Sequence, residues 1–252
     1  MMKKIYIILC LLSLNLSVFA VDVKALEGEA NKLYQDGDYQ KAIELYNQVL
    51  DAGVESSAVY YNLGNSYYKA GEISKAILNY ERALVLNPGD KDTKYNLTLA
   101  QKATVDKIKV LPELFFVRWY NSFVSTFSAD QWAYFSVALF IAFLIMAALF
   151  FHSNSIGLKK TGFTVGIVLL LLTAVTIFFA TKQYHRVSDR NYGIVMTPSV
   201  VVRGAPDSSG TELFVVHEGL KVQIVESLGD WYNVRMADGN EGWIMKSDLE
   251  KI

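Results

Sequence analysis

The spacing of apolar side chains changes character along the chain. Between residues 23 and 106 apolar positions recur every three or four residues, the period of amphipathic helices. Two later runs, "WAYFSVALFIAFLIMAALFF" (132–151) and "TGFTVGIVLLLLTAVTIFFAT" (161–181), carry no charge at all. Helices of that length rise about 30 Å, the thickness of a bilayer's hydrocarbon core. From residue 192 the texture becomes short alternating runs, "YGIVM", "SVVVRGAP", "LFVVHEGLKVQIVES" and "WYNVRMADGNEGWIM", broken by Gly, Asp and Asn. Such alternation predicts a small antiparallel barrel. The pattern therefore predicts a multidomain chain: an all-α array, a two-helix membrane hairpin over 131–181, and a small all-β module over 192–252.

Within the helical region the pattern itself recurs every 34 residues. Residues 57–90 place Tyr60, Leu63, Gly64, Tyr67, Ala76, Tyr80, Ala83 and Pro88 in one register. Residues 23–56 repeat it with Leu26, Ala30, Leu33, Gly37, Ala42, Tyr46 and Val49, while Glu29 and Val54 replace the expected leucine and proline. This register resembles the tetratricopeptide repeat. Small residues at Ala30/Gly64 and Ala42/Ala76 let paired helices approach, large ones at Leu33/Tyr67 and Tyr46/Tyr80 fill the space between neighbours, and Gly37 and Gly71 make the turns. From Lys91, "KDTKYNLTLAQKATVDKI" resembles the first helix of a third repeat, with Leu97 in register, and is polar enough to cap the array.

The resemblance implies a concave groove lined by first helices, with Glu27, Asn31, Tyr34 and Gln35, then Tyr61, Asn65, Tyr68 and Lys69, facing it. Asn31, Tyr34, Tyr61, Asn65, Tyr68 and Lys69 are the partner-binding candidates. One tetratricopeptide subfamily grips a partner's C-terminal carboxylate with two asparagines and three basic residues. Asn31 and Asn65 match its asparagines, yet Glu27, Asp92 and Asn96 stand where the basic residues belong, so no preference for a free C-terminus is expected. A merely solvated face is the other reading of these polar positions, and it stays open.

The N-terminus "MMKKIYIILCLLSLNLSVFA" joins Lys3 and Lys4 to an apolar run and to small residues at Val18 and Ala20, the pattern of a secretory signal peptide over 1–20 or of an uncleaved anchor. Cys10, the single cysteine, lies in that run without the small residues of a lipidation site. Between the two spans "HSNSIGLKK" (152–160) is too short for a domain, and its Lys159 and Lys160 suit a cytoplasmic loop. With an exported N-terminus, the hairpin returns the C-terminal module to the same, outer side. Ser128 and Gln131 predict a capping box at the first span. In the segment 107–130, Leu114, Phe115, Trp119, Phe123 and Phe127 fall near one helical face, which fits either the membrane interface or a docking helix beneath the array. Gly162 and Gly166 form a GxxxG pattern at the second span.

The order "VVRGAPDSSG…VHEGLKVQIVESLGDWYNVRMADGNEGWIMKSDL" resembles bacterial SH3-like domains. Val202, Val222, Ile224, Val234 and Ile244 are its expected core, and Asp238–Gly239 a hairpin turn. The resemblance implies binding of cell-wall peptides or partner proteins through aromatic side chains, here Trp231, Tyr232 and Trp243; the alternative, that the tryptophans are structural, stays open.

Charge and chemistry narrow the function. The chain has 24 basic and 25 acidic residues and the C-terminal module five and nine, which speaks against nucleic acid as a partner. His152, His185 and His217 are isolated, and neither a metal-protease signature, a phosphate-cradling glycine loop nor a nucleophile elbow occurs. No catalytic residue, metal or cofactor is expected, and the chain reads as a non-enzyme. The whole order resembles the BatE-type proteins of bacterial aerotolerance operons. That resemblance implies an inner-membrane scaffold whose soluble modules face the periplasm, working with von Willebrand A-domain membrane proteins and a MoxR-type ATPase in stress tolerance. The competing reading is an envelope tether or sensor whose SH3-like domain binds peptidoglycan.

Overall fold

The computed structural model describes residues 22–107, 114–188 and 191–252. The signal segment read over 1–20 and Cys10 lie outside the described residues.

Five successive helices build the first body: α1 (Val23–Gln35), α2 (Tyr39–Asp51), α3 (Ser57–Lys69), α4 (Ile73–Leu86) and α5 (Lys91–Ala103). Asp22, Asp38 and Asp90 start α1, α2 and α5 by accepting first-turn backbone N–H groups, which otherwise lack partners. Gly37 (φ 84°) and Gly71 (φ 83°) turn each hairpin in the left-handed region that only glycine enters without strain. Ala30, Ala42, Tyr46 and Leu63 are buried in one cluster and Ala76, Tyr80 and Leu97 in a second, so the register read from the sequence is the register of the core. Gly64 has a packing reason: a Cβ there would stand 2.8 Å from the Tyr80 ring.

The second body is α6 (Phe115–Val124), α7 (Ala129–His152) and α8 (Ile156–Ser188). The capping box at α7 is complete: Gln131 N donates to Ser128 Oγ at 3.2 Å and Ser128 N to Gln131 Oε1 at 3.0 Å. α7 and α8 form a hairpin whose apolar windows have mean hydropathy 2.5 and 2.6 and are only 6% and 11% buried. The nine-residue linker expected over 152–160 shrinks to 153–155, because α8 begins at Ile156 and takes Lys159 and Lys160 into its first turns. At Gly162 the helices touch: a Cβ would lie 2.9 Å from the Met146 carbonyl oxygen. α6 is tied to both, since the Val124 carbonyl accepts from Trp132 Nε1 (3.0 Å) and from Gln183 Nε2 (3.3 Å). Phe123 packs on Trp132 and Phe179, while Leu114, Phe115, Phe116 and Trp119 stay exposed.

The third body is a seven-stranded antiparallel sheet: β1 (Tyr192–Val195), β2 (Ser199–Arg203), β3 (Glu212–His217), β4 (Lys221–Leu228), β5 (Trp231–Arg235), β6 (Glu241–Met245) and β7 (Leu249–Lys251), in the order β3-β2-β6-β5-β4-β1-β7. Strands about 4.8 Å apart would spread a flat sheet of this order over nearly 30 Å. Yet Val195, Val202, Val216, Val222, Val234, Ile244 and Leu249, one from each strand, meet in a single cluster, so the sheet curls around its core as a small barrel.

The barrel does not hang free. β1 is buried on both faces: Val195 enters the barrel core, and the adjacent Ile194, fully buried, joins Ala76, Ile77 and Leu78 in the second cluster of the helical array. The barrel thereby covers the back of the array along α4, beside the cap that the sequence suggested for α5 alone. A short solenoid needs such closure, because its last repeat otherwise leaves an apolar face uncovered.

Candidate protein-binding surfaces

The first-helix asparagines sit at the centre of a hydrogen-bond ladder. Asn31 Oδ1 accepts from Tyr46 Oη (2.6 Å) and from Asn62 Nδ2 (3.0 Å). One repeat later Asn65 Oδ1 accepts from Tyr80 Oη (2.8 Å) and from Asn96 Nδ2 (2.9 Å), and Asn96 also reaches Tyr61 Oη at 3.2 Å. Each rung joins the first helix of a repeat to its own second helix and to the first helix of the next. Burial raises the Tyr46 hydroxyl to a pKa of about 12, with Glu27 and Tyr34 adding to the shift, and raises Tyr80 in the same direction. Both phenols are held as neutral donors.

This ladder revises the expected roles of three residues. Asn96 is the counterpart of Asn62 rather than a failed clamp position, and the carbonyls of Asn31 and Asn65 are committed inside the array. Asn62, Asn96 and the two tyrosine hydroxyls were not singled out as polar partners, although each pair is 34 apart in the sequence. Of the first-helix candidates Gln35 and Lys69 are exposed, and Glu27, Asn31, Tyr34, Tyr61, Asn65 and Tyr68 are half-buried; the side chains of the three tyrosines and Lys69 are not committed to a rung through a carbonyl. Burial is the main cause that raises the Tyr34 hydroxyl pKa, with Tyr39 and Tyr61 adding to it.

On the barrel, strand alternation separates two neighbours expected to act together. Val234 and Ile244 point inward, so Trp231 and, across the β5–β6 ladder, Trp243 and Met245 share the outer face. Tyr232 belongs to the inner side: it packs against the core, with the Lys246 and Lys251 ammonium groups about 5 Å from its ring centre. The outer surface is continued by Arg203, which pairs with Trp243, and by exposed Leu228.

The array and the barrel share a polar rim around Ile194. Lys221 Nζ meets Glu81 Oε2 at 2.7 Å, Ser74 Oγ donates to Glu218 Oε2 at 2.8 Å, and Arg82 Nη2 bonds Glu250 Oε1 at 2.9 Å and the Lys251 carbonyl at 2.8 Å. Asp106 accepts from the backbone N–H of His217 at 2.6 Å and faces its Nδ1 at 2.9 Å. All of these array residues lie on α4 or just after α5. The barrel is therefore clamped to the second helix of the second repeat and leaves α1 and α3 uncovered. Among the described residues no group of three or more His, Cys, Asp or Glu side chains is placed to hold a metal ion.

Two family models match stretches of these modules. The tetratricopeptide repeat family matches residues 57–90 and the bacterial SH3 domain family residues 198–250. Sperm-associated antigen 1 of Rattus norvegicus is 35% identical over 79 residues, covering 31% of this chain and 9% of that protein. Tetratricopeptide repeat protein 16 of Homo sapiens is 29% identical over 69 residues, covering 27% and 8%. The chain thus spans under a tenth of the length of the curated relatives it matches. Among solved structures it is similar to the Yersinia enterocolitica type III secretion translocator chaperone SycD (15% identity, TM-score 0.31, 63% of this chain and 96% of that one) and to the Sgt2 tetratricopeptide domain from Aspergillus fumigatus (16% identity, TM-score 0.31, 67% and 83%). The chain combines a tetratricopeptide array, a bacterial SH3-like barrel and two long apolar helices, and its two soluble modules are of the protein-interaction type.

Proposed function

We propose that this protein is a membrane-anchored adaptor that holds its repeat groove and the outer face of its barrel toward partner proteins on the non-cytoplasmic side of a bacterial inner membrane. The observation that carries this reading is the clamp between α4 and the barrel. It seals the back of the array and leaves Tyr34, Tyr61, Tyr68 and Lys69 open on the other helices. A module built for covering its own groove would place the barrel on α1 and α3 instead.

Anchoring is supported by the hairpin itself. Ile141, Leu144, Ile145, Leu171 and Phe178 are each at least half exposed, a surface that water would penalise and lipid would not. Both soluble bodies pack at the Lys182 end of the hairpin, opposite Lys159 and Lys160, which supports their lying on one side of the bilayer. The resemblance to BatE-type proteins favours von Willebrand A-domain membrane proteins and a MoxR-type ATPase complex as partners in stress tolerance.

Photocrosslinking in native membranes tests the adaptor role. Probes at Tyr61 and Lys69 are expected to capture one and the same protein, and a probe at Lys41 on α2 none. Capture from Lys41 alone, or from none of the three, sinks the proposal. The tether reading has its own support in the outward Trp231 and Trp243; it requires the full chain in detergent to co-sediment with purified peptidoglycan and to lose that binding in Trp243→Ala.

A further inference from the structure

A cleft of about 860 Å³ opens where all the bodies meet, walled by α4 and α5 of the array, α6, the end of α8, and β1 and β4 of the barrel. Its charge is one-sided. Lys94, Arg118, Lys182, Arg186 and Lys221 line it against one acidic side chain, Glu81, which Lys221 already occupies at 2.7 Å, and Ile252, the last residue, at its edge. His185 adds an imidazole to these five cationic side chains. Among the described residues no carboxylate lies within ion-pair distance of Lys94, Arg118, Lys182 or Arg186. Their recorded contacts are neutral: Arg186 Nη1 donates to Ser125 Oγ at 2.7 Å, and Lys182 stands 4.4 Å over the Tyr120 ring. Four elements separated in sequence thus converge cations, most of them exposed, on one concavity, whose summed positive field attracts an anion.

The position of the cleft identifies the kind of anion. The uncharged stretch of α8 ends at Thr181, one residue before Lys182, so Lys182 and Arg186 stand where apolar helix gives way to polar surface. α6 presents three faces. Val124 packs on the hairpin, Phe115 and Trp119 are exposed in the manner of an interfacial helix, and Arg118, Asn121, Ser122 and Ser125 line the cleft. A volume of this size suits a headgroup-sized ligand. We infer that the cleft binds a phosphate ester, namely the phosphodiester of an anionic phospholipid headgroup, with Arg118, Lys182 and Arg186 as its cationic wall and the Asn121, Ser122 and Ser125 side chains as hydrogen-bonding groups. This rests on the reading of α7 and α8 as membrane spans.

Native mass spectrometry of the full chain in detergent, titrated with phosphatidylglycerol or phosphatidylcholine, tests the site. The expected result is one phosphatidylglycerol held about tenfold more tightly than phosphatidylcholine. That preference should vanish in Arg118→Gln/Arg186→Gln, weaken in Lys94→Gln, and persist in Lys159→Gln/Lys160→Gln at the far end of the hairpin. Equal retention of the two lipids by the native chain, or selectivity unchanged in both cleft variants, overturns the inference. Inorganic phosphate is titrated alongside. Phosphate that displaces the lipid at millimolar concentration, through the same arginines, supports the phosphate site but assigns it to a free anion. Carbonate-resistant flotation on vesicles is measured on the same samples. Insertion without lipid selectivity refutes the cleft and spares the anchor; absence of insertion refutes the anchor, and the phosphate titration then decides the cleft.

Discussion

The Tyr80 hydroxyl donates to Asn65 Oδ1 at 2.8 Å, and one repeat earlier Tyr46 donates to Asn31 Oδ1 at 2.6 Å. The two bonds share a sequence separation of 15 residues, and the asparagine donors that complete each rung, Asn62 and Asn96, share one of 31. The repeat is thus conserved within the chain at the level of individual polar atoms. Removing an acceptor should cost more than removing one donor. Tyr80→Phe is expected to lower stability by about 1 kcal/mol, and Asn65→Ala, which strands two donors, by about 2 kcal/mol. Chemical denaturation of the full chain in detergent, followed by the helical signal, checks the order of the two.

Raised tyrosine pKa values predict a one-sided pH profile. In the folded chain Tyr46 ionises at about 12 rather than 10, because burial disfavours the phenolate. Its contribution is fully present below pH 10 and is lost as the pH rises through 12. The unfolding free energy of the native chain should be level from pH 7 to 9 and then fall, by about 2 kcal/mol at pH 12 for this one group. In Tyr46→Phe the fall should shrink; an unchanged slope would assign it to other groups.

Gly64 faces the Tyr80 ring with no room for a methyl group. Gly64→Ala should therefore destabilise by about 1–3 kcal/mol, the range for overpacking. Gly28, in α1 with nothing near its Cα, is the matched control, and Gly28→Ala should be neutral or stabilising through helix propensity. Thermal melts of the pair separate packing from propensity.

The polar rim of the clamp is unequal. Glu81 has only 9% of its side chain exposed, so Lys221→Met should leave a poorly solvated carboxylate and cost about 2 kcal/mol, less than a fully buried pair because the lysine is partly wet. Arg82 and Glu250 are more exposed, and Glu250→Gln should cost under about 1 kcal/mol and only at low salt. Limited proteolysis of the barrel, residues 192–252, should accelerate in the first variant and not in the second.

What could be read in the sequence and what could not follows from distance along the chain. The repeat register was legible because small and large residues recur every 34 positions, and the Ser128/Gln131 capping box because its members are three apart. The clamp was not, since Glu81–Lys221 and Arg82–Glu250 are separated by 140 and 168 residues and nothing local marks them. Ile194 looked like one more alternating strand residue, and only the fold shows that β1 is covered on both faces. Tyr232 was misplaced for a different reason. The resemblance grouped it with Trp231 and Trp243 as an aromatic side chain, whereas strand alternation sends adjacent side chains to opposite faces. Asn31 and Asn65 were correctly placed on first helices, but the tyrosine and asparagine donors that occupy their carbonyls come from other helices.

The central claim is that array and barrel form one body, clamped at α4, with the groove left open. Spin labels at Gln48→Cys on α2 and Ala237→Cys in the β5–β6 turn, in a Cys10→Ser background and in lipid nanodiscs, measure this directly by double electron–electron resonance. A single narrow distance distribution is predicted for the native clamp, broadened by Lys221→Glu and narrowed again when Glu81→Lys is added. A broad distribution in the chain with the clamp intact would contradict the account.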